Sequence, residues 1–354
     1  MKKRFLAILL IFCMIIPTVG CDRFFTDYSP GGVATTAPVT KDEGPSEFTV
    51  NRKKNIITIL SVFEGKTANE IVSAVIFRLN TDEDSVAVLQ LPTDLYFENE
   101  GSLSLWYKNR YAAAIAAGAE DPTSTAMSDL KELLVSSLSI PIDHTTHMTY
   151  DKLIGAVDAI GGMKMNIPYA IGLDDGTIIP AGDIKLDGKT AAGLMVYSRY
   201  RSEFITSLHI HKLLINAFIS ALRNDVDEKV LSICAVEIRQ HMTTTINGKG
   251  SADVFLLRSL AAADPENVKF ARLAIEPVTL SAGKFSVVCK SAAVDQINDF
   301  LSIFADPLTA GEFDTDGKLS STSIQIVASI YQSTISAPSV YTAEQINSGV
   351  IKIQ

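Results

Sequence analysis

Positive charge is in short supply in this chain. It carries 31 lysines and arginines against 40 aspartates and glutamates, a formal net charge of −9. A general nucleic-acid surface needs a basic patch to neutralise phosphates, so that class is excluded, although a local basic pair can still hold one phosphate. The sequence has no Gly-rich phosphate loop, no GxSxG elbow, no CxxC pair and no internal repeat. Those absences remove the P-loop, nucleophile-elbow, thiol-redox and solenoid readings. Histidine is scarce, at 5 residues, and badly spaced for zinc. His144 and His147 are three apart in a strand-like run and face opposite sides. His209 and His211 are two apart in a helical run, roughly 200° around its axis. Neither pair has the i,i+4 spacing of a helical zinc site.

A long apolar run is also missing. Phe5 to Ile16 is unbroken but falls short of the roughly 20 residues that span a bilayer core. Preceded by Lys2, Lys3 and Arg4, and ended by Pro17-Thr18-Val19-Gly20-Cys21, it reads as an export signal over residues 1–20. Gly20 directly before Cys21 resembles the bacterial lipoprotein cleavage box, in which the new N-terminal cysteine takes lipid and tethers the protein to the membrane. Thr18 stands where that box usually has Leu. Ordinary cleavage and an uncleaved anchor are the alternatives, and all three put the protein outside the cytoplasm. Residues 21–50 are rich in Gly, Pro, Thr and Ser without an apolar period, as in a flexible tether. Of 4 cysteines, Cys234 and Cys289 remain in the body of the chain. An exported pair can form a disulfide, yet both lie in apolar settings (LSICAVEI and FSVVCKS), where cysteine also serves as a small core residue.

What is present points to one large α/β domain. A chain of 354 residues, 47% hydrophobic and 20% charged, is long enough to bury a substantial core. Asn55 to Phe63 is a β-branched strand run, and Ser85 to Leu91 is another, ending in Pro92-Thr93-Asp94. Between them, Thr67 to Leu79 is helical or strand-like, because periodicity alone does not settle it. Ser128 to Leu138 is an amphipathic helix with Leu130, Leu133, Leu134 and Leu138 inward. Leu153, Ile154, Val157 and Ile160 share a helical face, and Gly161-Gly162 follow as a left-handed cap. Met163, Met165 and Ile167 then alternate with polar residues in a strand. Gly188 to Leu194 is a short helix expected to run into a strand ending in Ser198-Arg199-Tyr200-Arg201, where two arginines share a face. Val226 to Ala263 reads as mainly helical. Val268 to Leu280 and Lys284 to Cys289 read as a strand pair, and Ala292 to Phe304 as a closing helix.

The string IPIDH…YDKLIGAVDAIGGMKMNIP, followed by LDGKTA…YSRYR, resembles the LytR-CpsA-Psr (LCP) family of bacterial envelope proteins. The likeness covers about Asn55 to Phe304 and is most specific in these two segments. It implies a mixed central sheet with helices on both faces, a domain over residues 51–305, and a tail over 306–354. It also implies an activity: transfer of a polyprenyl-pyrophosphate-linked glycopolymer to peptidoglycan, with a divalent metal such as Mg2+, by a protein anchored at the outer face of the membrane.

The family's ligand positions are largely replaced in this sequence. Phe63 falls where the first acid belongs, with Glu64 one position on. Glu70 and Val72 stand at an Arg and an Asp, and Pro92-Thr93-Asp94 replaces Pro-Arg-Asp. In the helix after Arg201, the register puts Ile205, Leu208, His211 and Lys212 at an Asp, two Arg and a Gln. Phosphoryl transfer depends on positioning and on cations that neutralise developing charge, so a guanidinium replaced by a hydroxyl matters. The catalytic candidates carried over are Asp94, Arg199 and Arg201. Arg199, Arg201, His211 and Lys212 are the candidates for substrate binding, and Asp94 and Glu64 for metal. The plainer readings are an exposed arginine pair in surface salt bridges and a turn-capping Asp94. Two functions follow: an active transferase with a rearranged site, or an inactive binder of polyprenyl (pyro)phosphate acting as an accessory envelope lipoprotein.

Overall fold

The computed structural model describes residues 56–80, 82–97, 100–167, 169–197, 204–224, 243–244, 260–263, 267–271, 273, 275–280, 283–288, 296–297, 299–304, 325–326 and 340–342. All of them belong to the unit Glu47–Gln354. In chain order the elements are β1 (Ile56–Glu64), β2 (Ile71–Asn80), β3 (Ser85–Leu91), α1 (Leu103–Ala116), α2 (Pro122–Leu138), β4 (His144–Met148), α3 (Tyr150–Ala159), β5 (Met163–Ile167), β6 (Gly182–Leu186), α4 (Gly188–Met195), α5 (Phe204–Asn224), β7 (Thr243–Thr244), β8 (Val268–Ala271), β9 (Ile275–Leu280), β10 (Gly283–Val288), β11 (Gln325–Ile326) and β12 (Val340–Thr342).

The main sheet runs β7-β4-β1-β2-β3-β8-β12. Strand β1 is parallel to β4 and antiparallel to β2, and β3 is antiparallel to β2 and parallel to β8. Strands β1, β3, β4 and β8 therefore point the same way and end on one edge. Alternation along β1 divides the core. Ile56, Leu60 and Val62 pack with α1, α2 and the segment around Phe300, while Ile59 packs with α3, α4 and α5 on the other face. The sheet is thus a mixed α/β sheet covered by helices on both sides.

The central strands are apolar on both faces, the pattern of a sheet buried on both sides, and this explains the ambiguous stretch between β1 and β3. Ile71–Asn80 is a strand with a single position short of full burial. Arg78 in its middle is completely buried. Its Nη1 donates to the carbonyls of Leu301 (2.9 Å) and Phe300 (3.4 Å). The guanidinium carbon lies 5.7 and 5.6 Å from the ring centroids of Phe300 and Phe304. A buried arginine in this setting is neutralised by helix-end carbonyls and aromatic faces, and it fixes the closing segment to the sheet.

The two segments most specific to the resemblance meet each other. Gly162, at φ 91°, lies so close to the backbone of β6 that a Cβ there would come within 2.6 Å of the Leu186 carbonyl oxygen. Gly188 opens α4 against α3, and a Cβ on it would collide with the Ile154 carbonyl. Its N–H donates to Asp158 Oδ1 at 2.7 Å. Asp187 caps α4, accepting from the Thr190 N–H at 2.8 Å, and Leu186 is buried between them. Gly-Gly and Leu-Asp-Gly are therefore the two halves of a backbone clasp between α3–β5 and β6–α4.

Several sequence expectations change in the fold. Val268 to Leu280 is not one strand: β8 joins the main sheet and β9 pairs with β10 and β11 in a separate sheet. The apolar run after Leu194 does not begin a strand, because α4 continues to Met195 and Val196 is its C-cap. Thr243–Thr244, in the stretch expected to be mainly helical, pairs with β4. Gln325–Ile326 and Val340–Thr342, both within 306–354, pair with β9 and β8. Cys21, Cys234, Cys289, the leader and the tether lie outside the described residues.

The clasp gives a graded expectation. Gly188→Ala should lower stability by about 2–3 kcal/mol through backbone overpacking. Gly161→Ala, at φ 80° with open space around it, should cost only about 1 kcal/mol of left-handed strain; denaturant melts of both variants check the difference. Hydrogen bonds from the Thr190 side chain and N–H hold the Asp187 carboxyl below its ordinary 3.8. Its capping contribution is therefore present above that value and is lost as pH falls through the lowered one. Asp187→Ala should cost about 1 kcal/mol at neutral pH, and the gap to wild type should close in acid melts.

Candidate functional site at the C-terminal edge of the sheet

Ligands of open α/β sheets sit outside the carboxyl ends of parallel strands. In this chain Glu64 ends β1, His147 is next to last in β4, and Pro92-Thr93-Asp94 follows β3. The pairing with β2 shifts register here, from Phe63–Ser73 to Glu64–Ile71, so that Val72 of β2 is the extra residue. Glu64 points to the α1 side. Its Oε1 is 2.8 Å from Nε2 of His147, which is paired across from Val62 on the same face. The Tyr107 ring of α1 stacks on the His147 ring at 6.2 Å between centroids and 21° between planes.

The cluster is almost sealed, with Glu64 7%, His147 3% and Tyr107 0% exposed. It is also incompletely satisfied. His147 Nδ1 is buried without a hydrogen-bond partner, the Tyr107 hydroxyl faces the Glu64 carboxylate in poor hydrogen-bond geometry, and the short Nε2–Oε1 contact lies off the direction a ring N–H prefers. Burial first, then the neighbouring Glu64 carboxylate, hold the Tyr107 phenol far above its ordinary value, so it stays protonated. Asp121 caps α2 nearby. Its carboxyl is lowered chiefly by hydrogen bonds from the Ser124 side chain and N–H, with a small contribution from His147.

Asp94 shares this edge. Pro92–Leu95 closes a turn, with Leu95 N donating to Pro92 O at 3.2 Å, and the turn anchors the start of α1 through Ser104 N to Thr93 O at 3.0 Å. Asp94 is half-buried and already engaged in the local network. Glu64 and Asp94 end strands that are two sheet spacings apart, roughly 10 Å.

His211 and Lys212 lie elsewhere. Both are buried on α5, on the opposite face of the sheet, at 3% exposure each. His211 Nε2 lies 3.0 Å from the Met195 carbonyl. A carbonyl only accepts, so Nε2 carries the proton and satisfies one of the last carbonyls of α4. This bond holds the end of the helix from which Ser198–Arg201 departs. Arg199 and Arg201 lie outside the described residues. Phe63 and Val72, at two of the family's acidic positions, pack into the core on the α3–α5 face.

A divalent cation fits this arrangement poorly. No group of three or more His, Cys, Asp or Glu able to hold one occurs among the described residues, and the Oε1 of Glu64 is taken up by His147. Two participants escaped sequence reasoning. Tyr107 reads as an ordinary helix aromatic, and His147 matters only once β4 is known to lie beside β1.

The poorly bonded Tyr107 hydroxyl gives a test. A buried, unpartnered polar atom costs about 1–3 kcal/mol, so Tyr107→Phe should keep or raise thermal stability by about 1 kcal/mol. A fall of similar size in calorimetry would mean that the hydroxyl is structurally bonded.

Fold comparison relates the domain to solved structures. TagV of B. subtilis superposes with a TM-score of 0.56 at 16% identity, covering 71% of this chain and 98% of that one. The protein gbs0355 of Streptococcus agalactiae gives 0.56 at 15% identity, covering 72% and 90%. TagT bound to LIIa-WTA gives 0.51 at 15%, covering 71% and 91%. No protein-family model matches the sequence, and no curated protein matches it significantly. Identities this low establish architecture alone, and that architecture agrees with the sequence resemblance: the domain has the LytR-CpsA-Psr-like fold.

Proposed function

We propose that this protein works at the outer face of the cell membrane, held by lipid on Cys21, and binds polyprenyl-pyrophosphate-linked glycopolymers during cell-envelope assembly. The observation that carries the reading is the LCP-like fold, shared with TagT bound to LIIa-WTA. In the family's activity the glycopolymer is transferred to peptidoglycan. Here Arg199 and Arg201 would hold the pyrophosphate as bidentate partners. The structure adds that His211 secures the preceding helix end. Asp94 stands at the same strand edge as Glu64, as a carboxylate toward the reacting end. Among the described residues no helix is long and apolar enough to cross a membrane.

A second reading keeps the binding and drops the turnover. It is favoured by apolar side chains where the family carries acids, Val72 buried and Phe63 partly buried against the core, and by Thr93 in place of an arginine. An accessory lipoprotein that holds polyprenyl phosphate would need none of those groups.

Titration calorimetry of a polyprenyl pyrophosphate into the chain from Asn55 onward, with and without Mg2+, separates the readings. Arg199→Ala/Arg201→Ala should weaken binding at least about 10-fold, the value of a charge-assisted pair. Magnesium-dependent binding supports the transferase, and magnesium-independent binding the accessory protein. Absence of binding would overturn both.

A further inference from the structure

We propose that the outward face of the ribbon formed by residues 163–186 rests on an anionic bilayer surface. Its apolar outer half enters the interface, and a lysine pair farther back meets the headgroups. The inference rests on the reading of a chain held at the membrane through Cys21, and it names the face turned to that membrane.

The ribbon is one long hairpin whose inner face is fixed. Strands β5 and β6 pair from Met163 with Leu186 to Ile167 with Gly182. Farther out, Ile171 pairs with Ile179 and Gly172 with Ile178. Met165, Ile167, Ile171, Leu173 and Ile179 are buried in the core shared with α3–α5. Leu173, at the turn, sits so close to α4 that a Cβ on Gly193 would come within 2.7 Å of its Cδ1. The other face is therefore presented to solvent in a set position.

That outer face divides into two halves. Nearer the turn, Ala170 and Gly172 stand across from Ile178 and Pro180, with Tyr169 beside them, and all five are exposed. Ile178 is 76% and Tyr169 46% exposed, two of four large hydrophobic side chains left open to water among the described residues. A strand with one face in water ordinarily carries polar residues there, and β5 and β6 do. Lys164 and Lys185 face each other directly across the pair, both exposed. Like charges so placed repel in water and gain from a negative surface, against the chain's overall charge of −9. Asn166 Nδ2 donates to Asp183 at 2.7 Å, so the carboxylate between the lysines and the apolar half is engaged. In the turn, Asp175 faces Lys189 at 3.8 Å, and Asp174 is the other acid of the tip.

An apolar end bordered by a tyrosine, with lysines set back from it, suits a membrane interface. There aromatic rings sit at headgroup level and lysine stems lie along apolar surface. Lys185 is about 25 Å from Ile178 along the strand, so both halves make contact when the ribbon lies along the surface. The composition of residues 21–50 reads as a tether, and a coil of that length spans about 30 Å. Lipid on Cys21 then keeps the domain at high effective concentration over the bilayer, where a contact of modest area suffices. That proximity favours a bilayer over a protein partner on this face.

The test uses the full mature chain carrying Cys21→Ser, which removes the lipid. It is mixed with vesicles of phosphatidylglycerol and phosphatidylcholine, or of phosphatidylcholine alone. The chain should co-sediment with the phosphatidylglycerol vesicles, and less so as salt rises. Ile178→Asp should weaken that association at least about fivefold, through lost apolar contact and added negative charge. Lys164→Gln/Lys185→Gln should weaken it about tenfold and leave the weaker association with phosphatidylcholine unchanged. These are surface positions, so melts of the variants should match wild type. Ile178→Trp places a reporter on the ribbon, because the chain's one tryptophan, Trp106, is 4% exposed. The added fluorescence should be quenched by brominated phospholipids. Vesicle association without quenching, or unchanged in Ile178→Asp, would overturn the proposal, since another face then makes the contact. An Ile178-dependent dimer in sedimentation velocity without vesicles would overturn it in favour of a second copy. Absence of vesicle association by the Cys21→Ser chain would overturn it as well. The lipid reading is decided separately, by mass spectrometry of the wild-type N-terminal peptide.

Discussion

The closest constraint in this fold is a backbone-to-backbone approach. Where Gly188 enters α4, its α-carbon presses on the Ile154 carbonyl, and Gly162 presses on the Leu186 carbonyl from the other direction. Nothing larger than hydrogen fits at either point. The approach brings α3 and α4 together over one face of the sheet, so that Val157, Leu194 and Ile210 share a core with Val75 and Val88. It also sets the direction in which the chain leaves α4. The His211 bond to Met195 then ties that exit to α5.

In this chain, Gly-Gly and Leu-Asp-Gly serve close packing and a helix cap. They say little about chemistry. The resemblance puts Phe63, Val72 and Thr93 at acid and arginine sites, while the clasp is intact in this fold.

The opposite face carries a different burden. Glu64, His147 and Tyr107 occupy places in the core under α1 where apolar residues would pack at lower cost. Arg78, paired with Thr58 toward the other end of β1, is a buried charge kept for structure. Its Nη1 donates to two carbonyls, and two aromatic rings lie within 5.7 Å of its guanidinium carbon.

The sequence by itself determined the α/β class, the apolar strands β1 and β3, the amphipathic α2, the glycine cap after α3 and the alternation of β5. Each of these is a local matter of period, propensity or φ sign, read from neighbours in the chain. It left β2 undecided because a strand buried on both faces has no alternation to read. It merged β8 with β9 because the turn that sends them to different sheets has no strong signal. Only the tertiary structure decided which side chains meet. The Glu64–His147 contact joins strands 83 positions apart through a parallel pairing, and Arg78 finds its carbonyls more than 200 residues away. Such contacts are set by the order of strands in the sheet, which long-range packing selects and no local pattern encodes.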